Sequence, residues 1–301
     1  MWQAFLRSWI QQQVRQTAAE AVRSAREAAG ETGSRAAAGT QGPPPGSADR
    51  SCDVGFVFAL GVEAGGLEDL LEGVVTTRAR DLTVREGLLR GRRVAVVTSG
   101  VGQLAATRGT QALIAGHRPS WVISAGFAGG LDPCLKKGDI VMADALVATD
   151  GRRLTIDLKI PPEVVAASKR LHVGTCADSP AIVRRPDDKR ELGRRRGALA
   201  VDMESWAVGE VCRQAKTRFL SIRVISDAVD EELPPDVETL ARQKTTASRL
   251  GAAAGAILRR PSSVKDMLRL KEDALVFTDR LARFLAGVVE QLVPARPDAD
   301  P

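Results

Sequence analysis

The stretch FLSIRVISDAVD, Phe219 to Asp230, is an apolar run that ends in acidic residues and has the composition of a buried strand. Five other stretches have a similar character: DVGFVFAL at 53–60, RRVAVVTSG at 92–100, SWVISAGFAGG at 120–130, GDIVMADALVA at 138–148 and GALAVDMES at 197–205. Helical patterns follow the second and the fifth of these runs. Strands that alternate with helices predict an α/β domain with a central mixed, largely parallel sheet flanked by helices.

The composition of the 301 residues limits the class of protein. Lys and Arg number 43 against 37 Asp and Glu, and a net charge of +6 is too small for a dedicated nucleic-acid binder. Apolar residues make up 44% of the chain, which excludes global disorder, and no apolar run is long enough to span a membrane. Four scattered cysteines and two histidines fit neither a metal site nor a disulfide framework. We therefore expect no cofactor, a reducing cytoplasmic location and acid–base chemistry by carboxylates.

The chain divides into five predicted segments: an amphipathic helix at 1–29, a flexible linker at 30–51, the main domain at 52–258, a helical extension at 259–293 and a disordered tail at 294–301. The first helix has Trp2, Phe5 and Trp9 on its apolar face. Two interpretations of it remain open, a helix packed on the protein or on a partner, and a peripheral anchor at the inner membrane surface. The basic run from Arg184 to Arg196 is interrupted by acids and indicates a solvated helix face rather than an anion-binding patch.

Carboxylates follow three of the predicted strands. Glu63 follows the first strand, Asp202 and Glu204 the fifth, and Asp227 the sixth. Ligands of α/β sheets bind beyond the carboxyl ends of the strands, and charged residues are rarely buried without a partner. Glycines at 100, 102, 126, 129 and 130 lie at the ends of two other strands and let the backbone approach a ligand closely. A helix cap remains the alternative role for Asp202 or Asp227.

Five motifs occur in a fixed order: ALGVEAGGL, VVTSGVGQLAA, ISAGFAGGLDPCLKKGDIV, AVDMESWAVGEVC and IRVISDAVD. Together they resemble the nucleoside phosphorylase and nucleosidase superfamily, and most of all the branch that hydrolyses 5′-methylthioadenosine and S-adenosylhomocysteine. The similarity covers about residues 53–255. The resemblance implies a single phosphorylase-type domain, a small purine nucleoside as substrate and a homodimer.

The resemblance also implies roles for individual residues. Asp227 matches the acid that protonates purine N7, Glu63 the base that activates water, and Glu204 the acceptor of the ribose hydroxyls. The remaining predicted pocket residues are Ser99 and Gly100, Met203 against the sugar, Arg223, Ser226, and Ala181 and Ile182 near the base. Breaking an N-glycosidic bond passes through an oxocarbenium-like sugar, for which paired carboxylates are suited.

Water is favoured over phosphate as the nucleophile. A phosphate site needs cationic donors, and the phosphorylases of this superfamily resemble one another in an arginine ahead of the central glycine turn. Here Ile123-Ser124-Ala125-Gly126 carries no charge, and the acidic Glu63 would repel an anion. Phe127 departs from the nucleosidase pattern, which has a small polar residue at that position.

The tail beyond 252 supports an alternative. It resembles that of the hopanoid-associated phosphorylases, which remove adenine from an adenosyl-linked lipid, and an amphipathic head and tail would suit such a substrate. A non-catalytic nucleoside-binding module is the third hypothesis. Such a protein would bind the nucleoside in this pocket without cleaving it.

Overall fold

The computed structural model describes residues 52–79, 82–157, 170–234 and 263–293. The predicted helix at 1–29, the linker and the tail at 294–301 lie outside these residues. Within the described ranges, no helix is long and apolar enough to cross a membrane.

Ten strands and five helices make up the described part of the chain. The strands are β1 (Val54–Phe58), β2 (Glu72–Arg78), β3 (Thr83–Leu89), β4 (Arg92–Thr98), β5 (Trp121–Gly130), β6 (Ile140–Val147), β7 (Arg153–Thr155), β8 (Leu171–Asp178), β9 (Ala200–Asp202) and β10 (Arg218–Asp227). The helices are α1 (Gly61–Glu68), α2 (Gln103–His117), α3 (Pro186–Arg196), α4 (Ser205–Gln214) and α5 (Ser263–Leu292).

All ten strands belong to one mixed sheet, which confirms the α/β class. Its order is β10-β6-β8-β9-β5-β1-β4-β3-β2, with β7 paired to β6. The expectation of a largely parallel sheet is wrong, because five of the ten pairings among the described residues are antiparallel. One cause is local: Arg90 and Gly91, both with positive φ, form a two-residue turn that makes β3 and β4 a hairpin.

The sheet closes on itself around β5. β10 pairs with β5 as well as with β6, so β5, β9, β8, β6 and β10 form a closed ring. One edge of β5 pairs with β1 over Trp121–Ser124 and then with β9 at Gly129 and Gly130. Glycines permit the bend that this exchange of partners requires. The carboxyl end of β5 is therefore bordered by β10 on one edge and by β9 on the other.

Helices cover both faces of the sheet. Residues of α2 and α4, including Leu113 and Val208, form one apolar cluster with β1, β4 and β5. On the other face, α5 packs against α1 and buries Leu281, Leu285 and Val289 in the main core. The sequence predicts a helical extension at 259–293, and the described part of it is a component of that core.

The contact between α1 and α5 is close. A Cβ atom at Gly66 would lie 2.9 Å from the carbonyl oxygen of Thr278, so only glycine fits there without displacement. The Thr278 hydroxyl donates a hydrogen bond of 2.9 Å to the carbonyl of Val62. Helix α5 thus fixes α1 at Val62, directly before Glu63.

Candidate active site

Glu63 is held at the carboxyl end of β5. It lies in the first turn of α1 and is buried. Its Oε2 accepts a hydrogen bond from the Leu60 amide (2.8 Å), and its Oε1 accepts one from the Phe127 amide (2.9 Å). Burial raises the pKa of Glu63, and the Phe127 amide and the positive charge of Arg223 oppose that rise. The result is a fixed carboxylate that binds a proton more readily than an exposed one.

Gly126 is the point at which Glu63 meets Arg223. A Cβ atom added there would lie 2.7 Å from Glu63 Oε1 and 2.8 Å from Arg223 Nη1. A side chain at this position would therefore overlap both groups. Ala125 carries no charge, as the sequence showed, and Gly126 after it leaves the space beside the Glu63 carboxylate free of a side chain.

Arg223 lies on β10 and is 2% exposed. Its Nε donates to Asp202, and its Nη2 donates to Ser124 Oγ (2.7 Å) and Ser205 Oγ (2.8 Å). Asp202 also accepts from the amides of Glu204 (3.1 Å) and Ser205 (3.0 Å), so the carboxylate holds both Arg223 and the start of α4. The N-cap residue of α4 is Glu204, so Asp202 is not the helix cap that one alternative expected, and its main partner is Arg223.

Glu204 lies directly before α4, on the same side as Glu63. Its Oε1 accepts a hydrogen bond of 2.6 Å from the amide of Gly102. Burial, followed by the negative charges of Asp202 and Glu63, raises the pKa of Glu204 to about 8. Met203 precedes it and is partly buried.

The turn after β4 brings the chain to Glu204. Gly100 and Gly102 both have φ of +94°, a conformation that favours glycine. Ser99 is buried, and its hydroxyl lies within hydrogen-bond distance of the main-chain carbonyls of Phe58 and Gly100. The hydroxyl of Ser99 is directed to the backbone.

Asp227 lies on the other side of the end of β5, paired in register with Gly129. Its Oδ1 is 2.6 Å from the Ser226 hydroxyl, and its Oδ2 is 2.5 Å from Lys189 Nζ. Burial raises the pKa of Asp227, and the positive charge of Lys189 opposes the rise. The prediction of a solvated face for the run Arg184–Arg196 is therefore wrong at Lys189, which is 0% exposed.

Ala181 and Ile182 lie between β8 and α3 and are partly buried. The segment is tied to β9 by a hydrogen bond of 2.9 Å from the Ser179 amide to the carbonyl of Asp202. The Ser179 hydroxyl donates to the carbonyl of Ala181 (2.6 Å). These bonds fix the backbone of the segment close to the strand that carries the acidic motif.

The predicted residues form two groups around β5. Glu63, Glu204 and Arg223 interact electrostatically with one another, and Ser226 and Asp227 are adjacent to Ala128 and Gly129. Within the described residues, no hydrogen bond or ion pair joins Asp227 to Glu63 or Glu204. The two groups share one strand end, because Glu63 bonds to residue 127 and Asp227 pairs with residue 129.

Asp178 is an acid of this region that the sequence did not indicate. It ends β8, next to Asp202 in the register, and its Oδ2 accepts from Gln103 (2.5 Å) and Thr149 (2.8 Å). Its Oδ1 is buried without a hydrogen-bond partner among the described residues, and burial raises its pKa to about 6. The motif CADSPAIV places Asp178 at a strand end, which was the available signal.

Comparison with solved structures identifies several nucleosidases of the same fold. The Campylobacter jejuni 5′-methylthioadenosine/S-adenosylhomocysteine nucleosidase is 17% identical with a TM-score of 0.62, over 80% of this chain and 100% of that one. The Neisseria meningitidis enzyme, in complex with methylthio-immucillin-A, is 23% identical with a TM-score of 0.58, over 79% and 98%. The Colwellia psychrerythraea enzyme, in complex with adenine, is 23% identical with a TM-score of 0.57, over 80% and 96%.

Identities this low establish a common fold and leave the activity to the site. The family model of the Phosphorylase superfamily matches residues 53–260, which is more than half of the chain and contains Glu63, Glu204 and Asp227. The chain therefore belongs to the phosphorylase superfamily.

Proposed function

We propose that the chain hydrolyses the N-glycosidic bond of an adenine nucleoside of the 5′-methylthioadenosine or S-adenosylhomocysteine type and releases adenine. The observation that carries the proposal is the meeting of Glu63 and Arg223 at Gly126. A buried carboxylate with a raised pKa beside a fixed cation is suited to take a proton from water. Two backbone amides hold that carboxylate in place.

The first half of the reaction is departure of the base. Asp227 donates its proton to N7 of the purine as the C1′–N9 bond breaks, and the electron pair of that bond leaves with the base. Adenine departs neutral, the sugar carries the positive charge of an oxocarbenium ion, and Asp227 becomes a carboxylate. The burial that raises the pKa of Asp227 keeps it protonated for this step.

The second half is capture of the sugar by water. Glu63 takes a proton from water as its oxygen bonds to C1′, which neutralises the oxocarbenium ion. Glu204 accepts hydrogen bonds from the ribose hydroxyls and so positions the sugar. Arg223, held by Asp202, Ser124 and Ser205, opposes the repulsion between the two glutamates.

Phosphate fits this site less well than water. Nε and Nη2 of Arg223, the cation of the site, already donate to Asp202, Ser124 and Ser205. Glu63 adds a negative charge at the place where the nucleophile would bind. Phosphorolysis would need further donors, and Ala125 supplies none from the strand.

The alternatives have less support. The apolar side chains of the described tail, from Phe277 to Leu292, lie mainly in the protein core, so this part of the argument for a lipid-linked substrate is removed. A binding module has no use for carboxylates whose pKa values are raised, whereas the proposed hydrolysis uses them in proton transfer at Glu63 and Asp227. Homodimer formation, implied by the resemblance, is part of the proposal and can be measured by sedimentation.

Product analysis tests the proposal. The full-length chain is incubated with 5′-methylthioadenosine, with and without inorganic phosphate, and adenine and the sugar product are quantified. We expect adenine and free methylthioribose at a rate independent of phosphate. A sugar 1-phosphate that increases with phosphate would contradict hydrolysis. The variant Glu63→Gln should lose about 10²–10⁴-fold in kcat, whereas Glu72→Gln, an exposed acid of β2, should keep the wild-type rate.

A further inference from the structure

Lys189 is a buried cation that the reaction described so far does not use. It lies in the middle of α3 and is 0% exposed, although its neighbours Arg190 and Asp188 are on the surface. A lysine is almost never buried completely unless it is paired. Its position therefore requires an explanation beyond the general charge of the helix.

The ammonium group of Lys189 has three partners. It lies 2.5 Å from Asp227 Oδ2 and donates to the carbonyls of Ala228 (2.8 Å) and Glu231 (2.7 Å). An ammonium group has three donors, and three acceptors surround this one. All three belong to β10 and the turn after it, so one side chain of α3 fixes the segment 227–231.

Asp227 depends on this contact for compensation of its charge. Its Oδ2 is buried and accepts no hydrogen bond of good geometry from the described residues, so Lys189 is its compensating group. Glu231 from the following turn faces Asp227 with the opposite effect, and Glu231 is itself paired with Lys137 at 3.2 Å. When the base takes the proton, Asp227 becomes a buried carboxylate, which is costly without a paired cation.

We propose that Lys189 is a positioning residue of glycosidic-bond cleavage, which orients Asp227 and stabilises the negative charge left on it when the purine accepts its proton. This role rests on the proposed function. Proton transfer moves a charge from the base to Asp227, next to an ammonium group already in place. The transition state gains from that attraction, whereas the protonated ground state gains less.

The test separates the charge of Lys189 from its role as a tether. Lys189→Gln keeps two N–H donors for the backbone carbonyls and removes the charge, and Arg190→Gln makes the same change on the exposed side of α3. We expect kcat/KM for 5′-methylthioadenosine to fall about 10²-fold in Lys189→Gln and to stay at the wild-type value in Arg190→Gln. Both are measured from pH 5 to 10.

The pH profile distinguishes the charge effect from a structural defect. Asp227 must be protonated to act, so it contributes to the alkaline limb of the profile. Without the cation its carboxylate is less favourable, and the limb should move to higher pH by about one unit while the maximum falls. Glu204 titrates in both proteins, so the difference between the profiles reports Asp227. A lower maximum with an unmoved limb would overturn the role.

Two further measurements keep the test decisive. In the Asp227→Asn background, Lys189→Gln should cause no further loss of kcat, and an additional loss of tenfold or more would contradict action through Asp227. If Lys189→Gln does not fold, Lys189→Arg retains the charge. If the alkaline limb of Lys189→Arg lies at the wild-type pH and its rate is within tenfold of the wild type, the role is supported. A larger loss of rate would overturn it. Absence of hydrolysis by the wild type would overturn the proposed function itself.

Discussion

Replacing Gly126 by alanine tests the site without changing any of its charges. The new Cβ would lie 2.7 Å from Glu63 Oε1 and 2.8 Å from Arg223 Nη1. An ordinary contact begins at 3.4 Å, so the carboxylate oxygen must retreat by roughly 0.7 Å and the guanidinium nitrogen by roughly 0.6 Å. Glu63 Oε1 already accepts from the Phe127 amide, and the guanidinium of Arg223 is held through Nε and Nη2, so neither group can rotate away without losing a hydrogen bond.

The magnitude follows from that displacement. A misplacement of about 1 Å in a catalytic group costs about 10²-fold in rate, which corresponds to about 2.7 kcal/mol of activation free energy. The overlap, together with the φ of +155° at Gly126, which disfavours a side chain, should also reduce the free energy of unfolding by about 1–3 kcal/mol. Adenine release from 5′-methylthioadenosine gives kcat and KM, and chemical denaturation gives the stability. We expect the loss mainly in kcat, because the displaced groups act on the nucleophile.

Gly116 provides a control for the exchange of glycine by alanine at a position with neither overlap nor a positive φ. It lies in α2, and a Cβ atom there would meet nothing within 4 Å. Gly116→Ala should leave kcat unchanged and stabilise the helix by about 0.5–1 kcal/mol. If Gly126→Ala keeps kcat within threefold of the wild type, Glu63 and Arg223 do not act on the substrate at Gly126, and the proposed role of that pair is refuted.

Three other predictions concern Asp227, Glu204 and the first 50 residues. Asp227→Asn should fold and lose about 10²–10⁴-fold in kcat, since it cannot donate the proton; near wild-type turnover would reduce Asp227 to a structural residue. Because the pKa of Glu204 is raised from 4.5 to about 8, the folded protein retains a proton that the unfolded chain releases. Stability should therefore fall as pH rises from about 5 to 8, and less so in Glu204→Gln, as denaturant titrations at several pH values would show; equal slopes would contradict this. Deletion of residues 1–50 should leave hydrolysis unchanged. If the predicted helix at 1–29 is a membrane anchor, the same deletion should abolish salt-sensitive co-sedimentation with anionic vesicles. Full-length protein that stays in the supernatant would exclude the anchor.

Local sequence was sufficient for the strands that carry the site. Each of the six apolar runs contains an observed strand, and Glu63, Glu204 and Asp227 follow three of them as predicted. Strands of this type are buried on both faces and are nearly continuous apolar runs, so they stand out from their surroundings. Strands β2 and β3 did not stand out, because β2 is exposed, β3 is mostly only partly buried, and both mix polar with apolar residues.

Closure of the sheet could not be read from the sequence. It depends on β10 pairing with β5 along one edge and with β6 along the other, and those strands are far apart in the chain. The apolar content of β5 is the same whichever strand lies beside it. The glycines of β5 were noticed as possible ligand contacts, but their second effect, a bend that lets β9 replace β1, needs the neighbouring strands to be known.

Lys189 illustrates the same limit for the site. In sequence it lies in a helix of mixed charge, which normally faces solvent. Its burial is decided by the turn after Asp227, about forty positions later, which crosses above the helix and supplies two carbonyls. Asp202 was indicated by its position at a strand end, but its partner Arg223 was expected only to line the pocket. A pattern shows which residues are present, and the partner that each one receives depends on the tertiary fold.

The distribution of charge gives the two sides of β5 different properties. Arg223 forms an ion pair with Asp202 and lowers the pKa values of Glu63 and Glu204 only in part. Burial therefore raises the pKa of both glutamates. On the other side, Asp227 has a cation of its own in Lys189. Burial raises the pKa of Asp227 as well, so the difference lies in the compensating group. In the proposed reaction, Asp227 becomes an anion beside Lys189 when it gives up its proton, and Glu63 takes a proton from water beside Arg223. The end of β5, with glycine at 126 and 129, separates the two groups, so that Arg223 lies beside the glutamates and Lys189 beside Asp227.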